Sequence, residues 1–244
     1  MIRWDRTQGR PEPIRALNRV AERESGEPLV LLQDHAPSVR LARPQVIPYV
    51  RLEVARKAEA AAQALPEGIF LGVTDAWRPI ARQKRIYDWL TRCALEVWPN
   101  LSYAALRRKI NRWAAPYDQP APPGHCTGAA IDVNLLDSAG EVIDVWSPFD
   151  RFVAAPTYSY GLDPEPLRFR MILVEAMLGA GFSNCRDEGW HYSYGDAGWA
   201  VRMGLNECCY GLVELQEELF AEQERLWIEA FAQRPNPFLP PSPG

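Results

Sequence analysis

The chain has 244 residues, and 31 acidic against 27 basic side chains give it a formal net charge of −4. This slightly acidic balance, without a long run of Lys or Arg, argues against a protein that binds the phosphate backbone of nucleic acid. No apolar run reaches the roughly 20 residues that cross a bilayer, and the first residues lack the apolar core of a secretory signal. We therefore expect a cytoplasmic protein without nucleic-acid or membrane partners.

Local patterns predict helices and strands that alternate along the chain. Helices are indicated by apolar residues at three- and four-residue spacing or by Ala-rich, charged stretches without Gly or Pro. Strands are indicated by short apolar runs or by alternating apolar and polar residues. The predicted helices cover residues 51–65, the stretch from Pro79 to Val97, and residues 103–114, 166–180 and 212–234. The predicted strands cover residues 28–32, 69–73, 131–135 and 190–194.

The order of these elements favours an α+β fold. They lack the regular spacing of strand-helix-strand units, which argues against a doubly wound parallel sheet. We expect a small, central, mostly antiparallel sheet flanked by helices, formed by residues 1–211. The amphipathic helix 212–234 would pack on this domain or on a second copy, so an oligomer could form through it. The Pro-rich tail 235–244 has too little apolar surface to be ordered alone and is predicted to be disordered.

The first candidate site is a histidine followed by an aspartate. His125 ends a loop rich in Gly and Pro, and Asp132 lies seven positions later on the polar side of the strand 131–135. Positions seven apart on a regular strand face opposite ways, so both side chains reach one metal only if the chain turns between them. Gly128 would allow that turn. The other interpretation is a capped turn beside a solvated carboxylate.

The second candidate site is Glu188 with His191. If the aromatic residues of the strand 190–194 pack into the core, His191 faces the opposite side. Glu188 can reach that side only if the chain kinks, and Gly189 is where a kink costs least. The other interpretation is a surface glutamate beside a histidine that is satisfied by hydrogen bonds.

Together the two pairs offer a specific donor set. His125, Asp132 and His191 supply two imidazoles and one carboxylate, which suits a zinc ion with a fourth position left for water. Glu188 would then be a spare carboxylate that can take a proton from that water.

A third candidate is Arg78, at the junction between the strand 69–73 and the following helix. The proline after it favours an extended conformation for Arg78, which places it in a loop rather than on a helix face. Its guanidinium could stabilise an oxyanion or a substrate carboxylate, with Asp75 orienting it. A purely structural ion pair between Asp75 and Arg78 is the alternative.

Three motifs resemble, in the same order, those of the zinc D-alanyl-D-alanine dipeptidases. They are Asp75-Ala76-Trp77-Arg78-Pro79, Gly124-His125-Cys126-Thr127-Gly128-Ala129-Ala130-Ile131-Asp132-Val133 and Glu188-Gly189-Trp190-His191-Tyr192-Ser193-Tyr194-Gly195-Asp196. The broader group includes the D-Ala-D-Ala carboxypeptidases and the lysostaphin-type and hedgehog-type zinc folds. The resemblance spans roughly residues 25–211. It implies a sheet lined by a zinc cleft, one zinc ion per chain and a small D,D-dipeptide as substrate.

The resemblance also implies roles for single residues. The zinc ligands would be His125, Asp132 and His191. Glu188 would act as general base and then general acid, and Arg78 would stabilise the transition state. Asp75 and Asp150 would belong to the substrate site, where Asp150 resembles the family carboxylate that helps to hold the free amine.

Two positions depart from the family pattern. Pro123 stands where the family usually has Ser, so a hydrogen bond to the dipeptide would be missing, and Gly189 stands where many members have Pro or a bulky residue. Neither change removes a ligand. Both bear on substrate choice, because a missing polar contact in a buried site changes affinity strongly.

Three other functions compete with the dipeptidase. A D,D-carboxypeptidase that trims peptidoglycan stem peptides acts outside the cytoplasmic membrane, and no export signal is visible. A non-catalytic zinc-binding module needs neither Glu188 nor Arg78. A thiol enzyme using Cys126 is disfavoured, because the adjacent His125 and Cys126 would point apart on an extended chain.

Overall fold

The computed structural model of the chain describes residues 11–239. Within this range helices and strands alternate, and the predicted α+β class is confirmed. The helices are α1 (Ile14–Leu17), α2 (Leu32–His35), α3 (Leu52–Gln63), α4 (Ile80–Val97), α5 (Tyr103–Ile110), α6 (Pro164–Gly179), α7 (Ala197–Met203) and α8 (Ala221–Ala232). The strands are β1 (Ala21–Glu22), β2 (Leu29–Leu31), β3 (Arg40–Leu41), β4 (Tyr49–Arg51), β5 (Phe70–Asp75), β6 (Ala130–Leu136), β7 (Ser183–Asn184), β8 (His191–Ser193) and β9 (Glu207–Cys208).

A five-stranded sheet forms the centre of the fold. Its strand order is β3-β5-β6-β8-β7. β3 runs parallel to β5, and each of the other neighbouring pairs is antiparallel. The predicted small, mostly antiparallel sheet is therefore confirmed.

One face of this sheet packs against α3 and α6. Ile131, Val133 and Leu135 of β6 are fully buried and belong to the same core cluster as the Ala-rich face of α3 and residues of α6. Because side chains alternate along a strand, Asp132 and Asn134 face the other way. The predicted alternation in β6 therefore holds, and it turns Asp132 away from the core.

A second apolar cluster joins α4 to α5. Tyr87, Leu90 and Ala94 of α4 pack with Leu106 and Ile110 of α5. This cluster fixes α4, whose first turn starts just after the loop that carries Arg78. The helix predicted from Pro79 to Val97 is thus present as α4, and it anchors one wall of the cleft.

The first 50 residues contain more regular structure than the single strand predicted for 28–32. That strand is present as β2, which pairs with β4, and α1, α2, β1 and β3 also lie in this part of the chain. These elements have two to four residues each. Such short segments carry no periodic signal, since their hydrogen bonds go to distant residues.

The predicted helix 212–234 is wrong in its first part, because helix α8 begins only at Ala221. Val213 accepts a hydrogen bond from Trp77 Nε1 at 3.1 Å and donates one to the carbonyl of Cys126 at 3.2 Å. Val213 and Leu215 pack on the same cluster as Trp77, which is the two-residue period of an extended chain. Long-range contacts therefore replace the helix over residues 212–216, which we call the strap.

The prediction of disorder from residue 235 onward is wrong for residues 235–239. Asn236 Nδ2 donates a hydrogen bond to the carbonyl of Cys93 at 3.0 Å. The ring of Phe238 lies 5.2 Å from Trp98 and 5.3 Å from Trp113, measured between centroids. Aromatic partners on the domain thus supply the apolar surface that the segment lacks. Residues 240–244 lie outside the described range.

Across residues 11–239, none of the helices combines the length and the apolar character that a membrane crossing requires.

Candidate metal centre and cleft

Two neighbouring strands and one turn bring the three predicted ligands together. β6 and β8 pair with Asp132 directly opposite His191, so both side chains lie on the same face of the sheet. His191 Nδ1 lies 3.0 Å from Asp132 Oδ1, and His125 Nε2 lies 3.3 Å from the same oxygen. Each of the three residues offers one ligand atom within 4.8 Å of the other two. Two imidazoles and a carboxylate therefore converge.

The orientation of His125 comes from the turn that carries it. This residue lies in a 3₁₀ turn, Gly124–Thr127, which ends at Gly128 with φ 71°. The left-handed glycine redirects the chain into β6, which is the turn predicted from the spacing. His125 Nδ1 donates a hydrogen bond to the carbonyl of Ala76 at 2.8 Å, so Nε2 is the nitrogen that faces the cluster.

The charges in the cluster suit a divalent cation. Burial raises the pKa of Asp132, but His125 and His191 outweigh burial and hold this pKa well below its usual range. Burial lowers the pKa of His191, but Asp132 outweighs it, and the pKa is raised. The carboxylate therefore stays ionised and favours a proton on His191, and a metal ion would take the place of that proton.

Distances in the cluster agree with a tetrahedral ion. Bonds of about 2.0 to 2.1 Å place neighbouring ligand atoms about 3.3 Å apart. The separations from Asp132 Oδ1 to the two imidazole nitrogens are 3.0 and 3.3 Å. The donor set and its spacing therefore fit a metal ion such as zinc.

Glu188 lies at the start of the turn that leads into β8. The amide of His191 donates to the carbonyl of Glu188 at 3.1 Å, and the amide of Gly189 donates to the carbonyl of Ala155 at 2.7 Å, which closes the predicted kink. Burial raises the pKa of Glu188, as does the negative charge of Asp132, while the histidines lower it; the net pKa is raised. A carboxyl group with increased proton affinity thus stands within the electrostatic reach of the cluster.

Arg78 is held from two sides. Its Nε donates to Asp75 Oδ2 at 3.1 Å, Nη2 donates to the same oxygen, and Nη1 donates to Gln83 Oε1. Burial lowers the pKa of Arg78, but Asp75 and Asp132 outweigh burial and raise it. The amide of Arg78 also donates to the carbonyl of His125 at 3.1 Å. The guanidinium is therefore a fixed cation whose loop is tied to the ligand-bearing turn.

The two predicted substrate-binding aspartates differ in their surroundings. Asp75 is engaged with Arg78 and with the amide of Ala76 at 3.1 Å. Asp150 is exposed, and its Oδ1 accepts hydrogen bonds from the amides of Phe152 and Val153 at 2.8 and 3.0 Å. Asp150 thus caps a turn, while Asp75 anchors the guanidinium.

Sequence analysis missed two residues of the cleft. Gln83 lies one turn into α4 and is only 1% exposed. In the sequence it stands among charged residues, so no pattern marks it as buried. Arg151 follows Asp150, and its guanidinium lies 4.2 Å from the ring centroid of Trp190. Asp132 and Glu188 act on Arg151 through their charges. No spacing rule marks a single arginine that reaches the cluster from a loop.

The remaining histidine and the cysteine beside the cluster take no part in it. His35 is exposed at the end of α2 and is absent from the group of ligand atoms found in residues 11–239. Cys126 is fully buried, and burial raises the pKa of its thiol to about 12. A thiol that stays protonated is a poor nucleophile, which further disfavours a thiol enzyme.

A candidate cation site of three side chains, with a carboxyl group of raised pKa and an anchored guanidinium, is typical of metal-dependent hydrolases. The chain belongs to the D-ala-D-ala dipeptidase family of metallopeptidases, because the family model of that description, peptidase family M15, matches residues 50–207. All seven predicted site residues lie inside the matched range.

Proteins similar to the chain include two relatives and two solved structures. A D-alanyl-D-alanine dipeptidase of Synechocystis sp. is 33% identical over 149 residues, and the match covers 52% of this chain and 60% of that protein. A D-alanyl-D-alanine dipeptidase of Escherichia coli K12 is 26% identical over 126 residues, with 51% and 55% covered. The chain thus spans between 55% and 60% of the length of these relatives.

The solved structures are more distant. VanYB in complex with D-alanine-D-alanine has 18% identity and a TM-score of 0.38, with 64% of this chain and 79% of that chain covered. A mutant of the vancomycin resistance D,D-pentapeptidase VanY in complex with Zn(II) has 16% identity and a TM-score of 0.40, with 78% and 96% covered.

Proposed function

We propose that the chain is a zinc-dependent peptidase that hydrolyses D-alanyl-D-alanine or a similar small D,D-dipeptide. The convergence of His125, Asp132 and His191 on one face of the sheet, with the raised pKa of Glu188 beside it, carries this proposal. Family membership and the name shared by the two curated relatives support the substrate class. The cytoplasmic location stays a prediction from the sequence.

His125, Asp132 and His191 would hold the metal ion. A bound zinc ion polarises a carbonyl group and lowers the pKa of a coordinated water to about 7. The carbonyl of Ala76 keeps His125 in the tautomer that leaves Nε2 free to bind. The fixed positions of Asp132 and His191 in paired strands limit the reorganisation that binding requires.

Glu188 would move the proton. Its raised pKa suits a group that takes a proton from the attacking water and then donates it to the leaving amine. A carboxylate with the ordinary pKa of an exposed glutamate would be a weaker base in the first step and would hold the proton less firmly before the second. Burial of Glu188 therefore serves both halves of the reaction.

Arg78 would stabilise the negative charge that develops on the carbonyl oxygen. Asp75 and Gln83 hold the guanidinium before the substrate arrives, so little reorganisation remains when the charge develops. Asp150 would hold the free amine of the dipeptide: its Oδ1 is occupied by the turn, and Oδ2 would accept from the ammonium.

Three substrates test the proposal. The zinc-loaded chain is incubated with D-Ala-D-Ala, with N-acetyl-D-Ala-D-Ala and with L-Ala-D-Ala, and released alanine is measured. We expect cleavage of the free D,D-dipeptide alone. Cleavage of the acetylated substrate would instead identify a carboxypeptidase that trims peptidoglycan stem peptides, and no cleavage of any substrate would identify a non-catalytic zinc-binding module.

A further inference from the structure

Arg151 combines a fixed position with an unused donor. Among residues 11–239, its buried Nε has no hydrogen-bond partner, and its guanidinium lies over the ring of Trp190, 4.2 Å from the centroid. Trp190 directly precedes the predicted ligand His191. The side chain is half-buried, and Asp132 and Glu188 act on it through their charges without a hydrogen bond to it. A buried N–H donor without an acceptor is costly unless a ligand supplies one.

The loop that carries Arg151 is tied to the segment of Glu188. The carbonyl of Ala155 accepts from the amide of Gly189 at 2.7 Å, and the amide of Thr157 donates to the carbonyl of Arg186 at 3.0 Å. The buried Arg170 of α6 donates a hydrogen bond to the carbonyl of Ala154 at 2.8 Å, which stabilises the loop. Arg151 is therefore held beside the cluster by backbone contacts and not by a partner of its own side chain.

Positive charge prevails around the cleft. The carboxylates and guanidiniums that act on one another there are Asp75, Asp132, Glu188, Arg43, Arg78, Arg151 and Arg234. Two neighbouring arginines, Arg82 and Arg202, are neutralised by Glu224 and Glu12, each at 2.7 Å, and are left out of the balance. Four positive charges thus face three negative ones, and a bound divalent cation adds two more. Such a surplus attracts an anionic group of the substrate.

Of these four arginines, Arg151 is best suited to receive that anion. Arg78 already donates to Asp75 and to Gln83, and Arg234 is exposed with its guanidinium 5.4 Å from the ring of Phe231. Among the four, Arg151 alone has a buried nitrogen without a hydrogen-bond partner and a guanidinium over an aromatic ring next to a predicted ligand. Stacked guanidinium groups bind carboxylates through paired donors.

We infer that Arg151 binds the free carboxylate of the dipeptide and so selects substrates with an unblocked C-terminal end. This inference rests on the proposed function, since it assigns a substrate group to the same cleft. It supplies a polar contact to the dipeptide at a place different from Pro123, where the family usually has Ser. Arg151 is a substrate-binding residue in this inference and moves no proton.

A comparison of two substrates with two variants tests the inference. The kcat/KM values for D-Ala-D-Ala and for its C-terminal amide are measured with the zinc-loaded wild type, with Arg151→Gln and with Arg168→Gln. Arg168 is the matched control, because its guanidinium also covers an aromatic ring, Phe169 at 4.3 Å, but on the exposed side of α6. Arg151→Gln should lower kcat/KM for the acid at least about tenfold and change that for the amide less than about twofold.

Other outcomes overturn the inference. If Arg151→Gln lowers kcat/KM equally for the acid and the amide, Arg151 is a structural residue. The same follows if the ratio of kcat/KM for the acid to that for the amide stays at the wild-type value. Arg151→Lys, which keeps the charge, should retain part of the preference and guards against a variant that fails to fold. If the wild type cleaves neither compound, the proposed function fails, and calorimetric titration with D-Ala-D-Ala decides instead. Equal binding to wild type and Arg151→Gln, or no binding to either, would then refute the carboxylate site.

Discussion

Gln83 offers the sharpest test of whether Arg78 acts in catalysis or only in a structural ion pair. Its Oε1 accepts from Arg78 Nη1, and its Nε2 donates to the carbonyl of Ala115 at 2.6 Å. The substitution Gln83→Leu removes both hydrogen bonds while it keeps a similar volume and a good helix former. Arg78 remains paired with Asp75 in this variant.

The structure sets the expected size of both effects. The carbonyl of Ala115 loses its donor, and one unsatisfied buried group lowers the free energy of unfolding by about 1–3 kcal/mol. The side chain of Arg78 is 14% exposed, so water can replace Gln83 there and the guanidinium adds little to this loss. Loss of a whole oxyanion donor lowers kcat by about 10²–10³. Loss of one of two anchors should lower it by about 10-fold, with KM changed less than about twofold.

Steady-state kinetics on the zinc-loaded protein and chemical denaturation measure the two effects separately. Tyr87→Phe is the matched control, because it removes the hydrogen bond from Tyr87 Oη to Asn111 Oδ1, 2.7 Å long, from the same helix α4. We expect this control to lower stability by about 1 kcal/mol and to leave kcat unchanged. If Gln83→Leu lowers stability but leaves kcat at the wild-type value, the anchoring of Arg78 by Gln83 plays no part in catalysis, and the reasoning that joins the two is wrong.

Further predictions concern the metal, its proton and the strap. Glu188→Gln should still bind zinc but lose at least about 10²-fold in kcat, whereas His125→Ala should lose zinc, as measured by elemental analysis after dialysis; an active Glu188→Gln would exclude it as the base. Because the pKa of His191 is raised, this residue is protonated below that pKa, and zinc must displace the proton, so affinity should fall as pH falls. Calorimetry at pH 6 in two buffers should show release of about one proton, and release of none would contradict this sign. Val213→Pro removes the donor to Cys126 and should lower the free energy of unfolding by about 1–3 kcal/mol; an unchanged denaturation midpoint would show that the strap is not coupled to the fold.

The candidate site was recognisable from sequence because its residue types occur in short, ordered motifs. The left-handed turn at Gly128 followed from local geometry, since the spacing of His125 and Asp132 demands a change of direction. The pairing of Asp132 with His191 could not be predicted from local geometry, because strand register depends on packing across the sheet. The raised pKa of Glu188 is likewise a result of burial and of charges from distant segments.

The C-terminal region shows most clearly where prediction from local sequence patterns fails. Apolar spacing over residues 212–234 predicts one helix, yet Val213 is drawn into the strap by Trp77 and Cys126, and α8 starts at Ala221. A helix and an extended segment differ little in local free energy at such a position. Tertiary hydrogen bonds and an apolar surface to cover are enough to reverse the preference.

The amino-acid sequence alone determines the patterns that extend over three to seven neighbouring residues. These are the apolar faces of the helices, the alternation in β6 and the motif residues of the candidate metal site. The contacts between distant segments are set only by the tertiary structure. Examples are the hydrogen bonds from Arg78 to Asp75 and Gln83 and the position of Arg151 over Trp190. The reason is physical. Local conformation responds to adjacent side chains, whereas distances, burial and charge coupling between remote residues arise only when the whole chain is packed.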